Sequence, residues 1–206
     1  MQQTKMSGLF ANAIWQADSE FVPLSSSNGD DAQAQIVLVQ DHKSRAILGH
    51  GCFHVDSAVN TGRSLKDIAG NTQAVVKKAI LEHGKPGVLR MDKESLHSTS
   101  RLMHAFALID VALIPFKPRE LHAKGNLERL MRAIDDSCLK GATFSLEKLS
   151  EMLEEFVNLY NNRYLDSIGM TPLESWRADC DAISFVDKNE LDKAFMHLDH
   201  SGACAE

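Results

Sequence analysis

The sequence predicts an α/β domain built on one five-stranded mixed sheet, an antiparallel meander followed by parallel strands, with helices on both faces. Three observations predict it. Aromatic, β-branched and apolar segments between Trp15 and Val55 follow one another with only loops between them, the pattern of a meander. From Leu65 onward, stretches with helical spacing alternate with two short apolar runs, residues 88–91 and 111–114, the pattern of βαβ units. Finally, 206 residues with 44% hydrophobic and 24% charged side chains suit one well-buried domain.

Taken in order, residues 1–13 are polar and mixed and are expected to form a flexible lead-in. A first strand starts near Trp15, carries Asp18 and is broken by Pro23. Residues 25–31, Ser-Ser-Ser-Asn-Gly-Asp-Asp, form a turn cluster long enough for a hairpin loop. Residues 35–39 and 46–55 make the second and third strands, joined through Asp41-His42-Lys43-Ser44-Arg45. Leu65, Ile68, Thr72, Val75, Val76, Ala79 and Ile80 recur at helical spacing over roughly four turns, and Gly84 and Pro86 stop that helix. Residues 88–91 are a buried strand, 102–108 a second helix and 111–114 a further strand. In the helix that follows, Leu127, Leu130, Met131, Ile134 and Cys138 form an apolar stripe, and Lys124, Glu128, Arg132 and Asp135 share a different face. Ser145 caps a helix whose core face is Leu146, Leu149, Leu153, Phe156 and Tyr160. Thr171-Pro172-Leu173-Glu174 is a capping box with proline at the first helical position. A short helix is expected over 190–198. The domain plan is therefore a lead-in (1–13), a core (14–178) and an acidic linker or tail (179–206), the last read as a solvated face or disorder.

Composition excludes some functions. No run of 18 apolar residues is present to span a membrane, and the N-terminus lacks an export pattern, which predicts a cytoplasmic protein. Cys52, Cys138, Cys180 and Cys204 are scattered with no C-x-x-C pair, as in reduced thiols rather than a disulfide frame or zinc site. The net charge of −6 is unevenly placed. From Glu147 to the end there are 13 acids against 5 bases, whereas residues 117–132 hold five bases against two acids. A nucleic-acid partner is compatible with that local balance.

Two acids stand out by position. Asp92 ends the 88–91 strand, and Glu128 sits on a helix in a basic setting, with 35 residues between them. If the first strand lies at the sheet centre beside the Asp92 strand, Asp18 and Asp92 can meet at neighbouring positions, with the Glu128 helix across that edge. Three carboxylates give oxygen-only ligation, which suits Mg²⁺ or Mn²⁺ and disfavours zinc. Two such ions can activate a water or a 3′-hydroxyl in phosphodiester chemistry. Asp41 is the rival first acid; we favour Asp18 and read Asp41, Ser44 and Arg45 as turn-fixing structure.

These residues carry a resemblance. Trp15-x-x-Asp18, Asp41-x-x-Ser44-Arg45, Asp92 and Lys124-Gly125-x-x-Glu128-Arg129, followed by Tyr160-Asn161-Asn162-Arg163 and Thr171-Pro172-x-x-x-Trp176, resemble the catalytic core of DDE transposases and retroviral-type integrases, closest in pattern to bacterial Mu-like transposases. The resemblance covers about residues 14–177. It implies the ribonuclease H-like fold, and metal binding by Asp18, Asp92 and Glu128 with Mg²⁺ or Mn²⁺, two ions in all. It also implies cleavage at the 3′ ends of an element followed by strand transfer into target DNA. Lys124, Arg129, Arg132, Lys117 and Arg119 would be DNA contacts, and the partners would be DNA and further copies of the chain in a homo-oligomer, near the bacterial nucleoid. Phosphate contacts of this kind position DNA without reading its sequence.

The chain departs from the family pattern in three ways. Asp92-Lys93-Glu94 stands where the family commonly has Asp-Asn-Gly. No helix-turn-helix or zinc module precedes the core, and the sequence stops before the small β-barrel of Mu-like relatives, as expected of an excised domain or truncated product. Two other readings follow: a non-catalytic core acting as an oligomerisation or regulatory subunit, or a ribonuclease H-like nuclease.

Overall fold

The computed structural model describes residues 10–25, 32–55, 62–91, 99–116, 121–134 and 143–199. Three consecutive strands, β1 (Ile14–Pro23), β2 (Gln33–Asp41) and β3 (Ile47–Val55), form an antiparallel meander. Two further strands, β4 (Val88–Met91) and β5 (Ala112–Pro115), then add in parallel beside β1. The strand order is β3-β2-β1-β4-β5, so β1 is central and β3 lies at one edge. This is the expected mixed five-stranded sheet. Because β2 is covered on both faces, it reads as a continuous apolar run rather than an alternating one.

Alternation along the strands feeds two cores. On one face, Trp15, Ala17, Val37, Val39, Leu89 and Met91 pack under α1 (Gly62–His83), α2 (Thr99–Ala107) and α6 (Lys188–Asp199). On the other, Val22, Ile36, Leu38 and Ile47 pack under α3 (Leu121–Ile134) and α4 (Leu146–Asn161). Each large apolar side chain fully buried here contributes about 1.5–3 kcal/mol. Close approach of α1 to the sheet depends on Gly49, where a Cβ would lie 3.0 Å from Ala79 Cβ and 3.2 Å from Val75 Cγ1.

Helix ends follow the local chemistry. Ser145 Oγ accepts from the Lys148 N–H at 3.3 Å and caps α4. At α5 (Pro172–Arg177), Glu174 N donates to Thr171 Oγ1 (3.2 Å) and Thr171 N donates to Glu174 Oε2 (2.9 Å), completing the expected capping box. Helix α1 runs 22 residues, about six turns rather than four. The added length is Gly62, Arg63 and Ser64 before the stripe begins at Leu65 and Leu81, Glu82 and His83 after it ends at Ile80. No helix among the described residues is long and apolar enough to cross a membrane.

The described residues toward both ends of the chain are packed into the fold, and residues 1–9 and 200–206 lie outside the described residues. The lead-in was expected to be flexible through residue 13, but Ala11 and Asn12 are buried. The Asn12 N–H donates to Asp41 Oδ1 (2.9 Å), its Nδ2 donates to the His83 carbonyl (2.7 Å), and its Oδ1 accepts from the Trp15 and Trp176 indoles (2.9 Å each). A polar label in the sequence concealed a hydrogen-bonding hub. The short helix expected over 190–198 is present as α6, and within the stretch read as an acidic linker or tail its Leu191, Ala194 and Phe195 are core residues, with Phe195 edge-on to Phe106 at 5.0 Å between ring centroids. Charge dominates that stretch in number, but its few apolar residues share one helical face. Asp179 itself accepts from Ala11 N (2.6 Å) and from the Lys43 ammonium, which holds its carboxyl below the usual range.

Candidate active site

Asp18 is half-buried in the middle of β1, and its Oδ1 accepts from the Ser19 N–H at 3.0 Å. Its cross-strand partner on β2 is Leu38, which is buried in the core beneath α3 and α4. Directly paired residues share a face of the sheet, so Asp18 belongs to the α3 side, as does Val22 further along β1. The parallel neighbour β4 runs in register Ile14↔Val88, Trp15↔Leu89, Gln16↔Arg90. Leu89 and Met91 enter the opposite core, which leaves Val88 and Arg90 on the α3 side. Arg90 lies over the Phe116 ring, 4.9 Å from its centroid. Asp92, next along the chain from Met91, lies outside the described residues.

Helix α3 packs against β1 through Leu127, Leu130, Met131 and Ile134, all buried. Glu128 follows Leu127 and is half-buried. At about 100° per residue, Glu128 and Arg132 fall on one flank of the buried stripe, and Arg129 and Ala133 on the other. Arg129 and Arg132 are exposed. The Lys124 side chain, Lys117 and Arg119 lie outside the described residues. Thus Asp18 and the helix bearing Glu128 come to the same side of the central strand. Among the described residues no group of three His, Cys, Asp or Glu side chains could hold a metal ion, Asp92 not being one of them.

Asp41, the rival first acid, is fully buried and occupied. Its Oδ2 accepts from Ser44 N (2.8 Å) and Ser44 Oγ (2.7 Å), and its Oδ1 from Asn12 N. Burial raises its pKa, and the bonds from Ser44 oppose that rise. These bonds fasten the β2–β3 turn, in which Arg45 takes a left-handed backbone (φ 67°). Asp41 and Ser44 thus do the turn-fixing work expected of them, while the Arg45 side chain leaves the turn and lines a cavity between α3 and α4.

Sequence reasoning did not find that cavity, nor the role of Asn161. The Asn161 side-chain amide pairs with the backbone of the edge strand: Ile47 N donates to Oδ1 and Nδ2 donates to the Ile47 carbonyl, both at 2.9 Å. The signal was present, since Arg45 and Tyr160-Asn161-Asn162-Arg163 both sit in quoted motifs. Their proximity was not legible.

Comparison with solved structures defines the fold. The chain is similar to the catalytic core domain of the HTLV-2 integrase in complex with magnesium. The trimeric form gives a TM-score of 0.56 at 16% identity, covering 82% of this chain and 98% of that one. The dimeric form gives 0.56 at 15% identity, covering 82% and 99%. It is also similar to a chain of the simian T-cell lymphotropic virus intasome in complex with the PP2A regulatory subunit B56 gamma (TM-score 0.57, 16% identity, 82% of this chain and 55% of that one). No protein-family model and no curated protein matches the sequence. The fold is the ribonuclease H-like fold of integrase catalytic cores.

Proposed function

We propose that this chain is the catalytic core of a polynucleotidyl transferase of the transposase and integrase type, cutting DNA at the 3′ ends of a mobile element and joining them to target DNA. The observation that carries the reading is the common side shared by Asp18 on the central strand and the helix bearing Glu128. Its complement is the parallel pairing of β1 with β4, the strand that immediately precedes Asp92 in sequence. A donor set of carboxylates alone fits Mg²⁺ or Mn²⁺, and the HTLV-2 core was solved with magnesium. Two such ions, when bound, would lower the pKa of the attacking hydroxyl and offset charge on the leaving oxygen.

Asp18, Asp92 and Glu128 are the oxygen ligands in this reading. Lys124 and Arg132, one turn to either side of Glu128, hold the phosphates of the cut strand, with Lys117, Arg119 and Arg129 as further DNA contacts. A water breaks the phosphodiester and leaves a 3′-hydroxyl, which then attacks a phosphodiester of the target. A homo-oligomer on DNA in the bacterial cytoplasm completes the proposal; dimeric and trimeric forms and an intasome are recorded for the integrase neighbours. The Mu-like branch rests on the order of the sequence motifs alone.

The test joins the core to a DNA-binding module and assays Mn²⁺- and Mg²⁺-dependent cleavage of candidate end sequences. Glu128→Gln should abolish cleavage while leaving the thermal midpoint in place. A wild-type fusion that cuts no end, or a Glu128→Gln variant that cuts as well as wild type, would sink the proposal.

A further inference from the structure

A cavity of about 510 Å³ lies between α3, α4 and the segment that follows α4. Its charged wall is formed by Arg45, Arg129 and Arg163, its other wall by Phe156, Tyr160 and Leu165, and no carboxylate is among its described lining residues. It sits on the flank of α3 opposite Glu128, because it takes Arg129 and Ala133 rather than the Glu128 and Arg132 side. It is therefore separate from the proposed metal site.

We infer that this cavity is a nucleotide-binding pocket, taking a phosphate on its arginines and a base against its aromatic and aliphatic wall. Arg45 is the strongest evidence. It stands in a left-handed backbone conformation that side chains seldom adopt, and Nη1 of its guanidinium is buried with no hydrogen-bond partner. The nearby carboxylate of Asp41 has its hydrogen bonds taken by Ser44 and Asn12, so it reaches the guanidinium through its charge alone. Burial pulls the Arg45 pKa downward, Tyr160 and Asp41 oppose that pull, and Arg129 adds to it. The Tyr160 oxygen accepts from Gln40 Nε2 at 3.3 Å, which leaves its own O–H as a donor, and the same Gln40 nitrogen steadies the Arg45 carbonyl at 2.9 Å. Guanidinium forks match phosphate oxygens. The Phe156 and Tyr160 rings, 14° from parallel with centroids 6.2 Å apart, supply flat apolar surface of the kind on which bases stack. The volume falls in the range of small-molecule sites and exceeds what a bare anion would fill.

The experiment titrates the whole chain, in EDTA so that metal plays no part, with thymidine 5′-monophosphate, thymidine and inorganic phosphate, read by calorimetry and amide NMR shifts. Thymidine monophosphate should bind more tightly than either fragment. Arg163→Ala, at an exposed position, should weaken binding about tenfold or more through loss of a charge-assisted contact without changing the thermal midpoint. Glu128→Gln should leave nucleotide binding unchanged, so failure of the metal-site proposal and failure of this one are told apart. No binding at millimolar nucleotide, equal binding by inorganic phosphate alone, or indifference to Arg163→Ala would each overturn the assignment. So would saturation by an acidic, leucine-containing peptide with no response to nucleotide.

Discussion

The indole N–H of Trp176 donates to Asn12 Oδ1 at 2.9 Å, across 164 residues of sequence. The same oxygen takes the Trp15 indole, so one amide joins the start of the central strand to the last helical turn of the motif region. Asn12 also adopts φ 62°, which asparagine tolerates better than most residues. Asn12→Ala should cost about 2–4 kcal/mol, since the buried Trp15 indole, the half-buried Trp176 indole and the His83 carbonyl lose their partner. Asn12→Gly removes the backbone strain but not the hydrogen-bond loss, so chemical denaturation should find it nearly as destabilised. A glycine variant of wild-type stability would mean the hub is decorative.

Phe195 tests whether the C-terminal helix belongs to the core. Phe195→Ala should cost about 3–5 kcal/mol, as for other buried phenylalanines. A loss below about 1 kcal/mol would return α6 to the status of a solvated tail.

Gly84 ends α1 with φ 80°, and a Cβ there would lie 2.4 Å from Ile183 Cγ2 and 2.7 Å from the Ser184 carbonyl oxygen. Gly84→Ala should destabilise by more than about 1 kcal/mol from the backbone conformation alone, and the contact with residues 183–184 should add to it. Thermal unfolding of the variant measures the sum.

His83 couples stability to pH. Its ring meets Trp176 edge-on at 5.3 Å, and burial lowers its pKa from 6.5. The folded state then binds fewer protons than the unfolded chain between the lowered value and 6.5. The contribution of His83 is therefore complete above pH 6.5 and is lost as pH falls through the folded value. His83→Phe keeps an aromatic ring without the titration, so its stability should decline less than wild type as pH drops from 6.5. His42, lowered first by burial and then by Arg45, keeps part of the slope in the variant. Parallel pH profiles for the two proteins would contradict the assignment.

Asp18 and Asp41 should separate function from structure. Asp18→Asn should lower metal-dependent cleavage by at least about 100-fold, the scale of a lost metal ligand worth several kcal/mol, with little change in unfolding. Asp41→Asn should do the reverse. Its amide can accept on only one oxygen where the carboxylate accepts three donors, at a cost of about 1–3 kcal/mol. If Asp41→Asn removed activity at wild-type stability, the two acids would have to exchange roles.

Much of this fold is written locally. The apolar segments of β1 to β3, the stripe Leu127–Leu130–Met131–Ile134, the Ser145 cap and the Thr171–Glu174 box each depend on neighbours within a turn or a strand pair, so residue order alone reveals them. The same holds for the candidate acids: Asp18 and Glu128 could be picked out because each stands in a recognisable element. What lay beyond the sequence was every relationship between distant residues whose own character is ambiguous. Asn12 looked like part of a polar lead-in until Asp41, His83, Trp15 and Trp176 closed around it. The acidic C-terminal stretch looked solvated until Phe195 met Phe106. Arg45 and Arg163 line one cavity only because α4 crosses back over the β2–β3 turn. Sequence determined the elements and the candidate acids, because periodicity and capping are short-range effects. Tertiary structure decided which polar groups are hubs, which charges are drawn out of water and where a cavity opens, because burial and electrostatic pairing are properties of the packed whole.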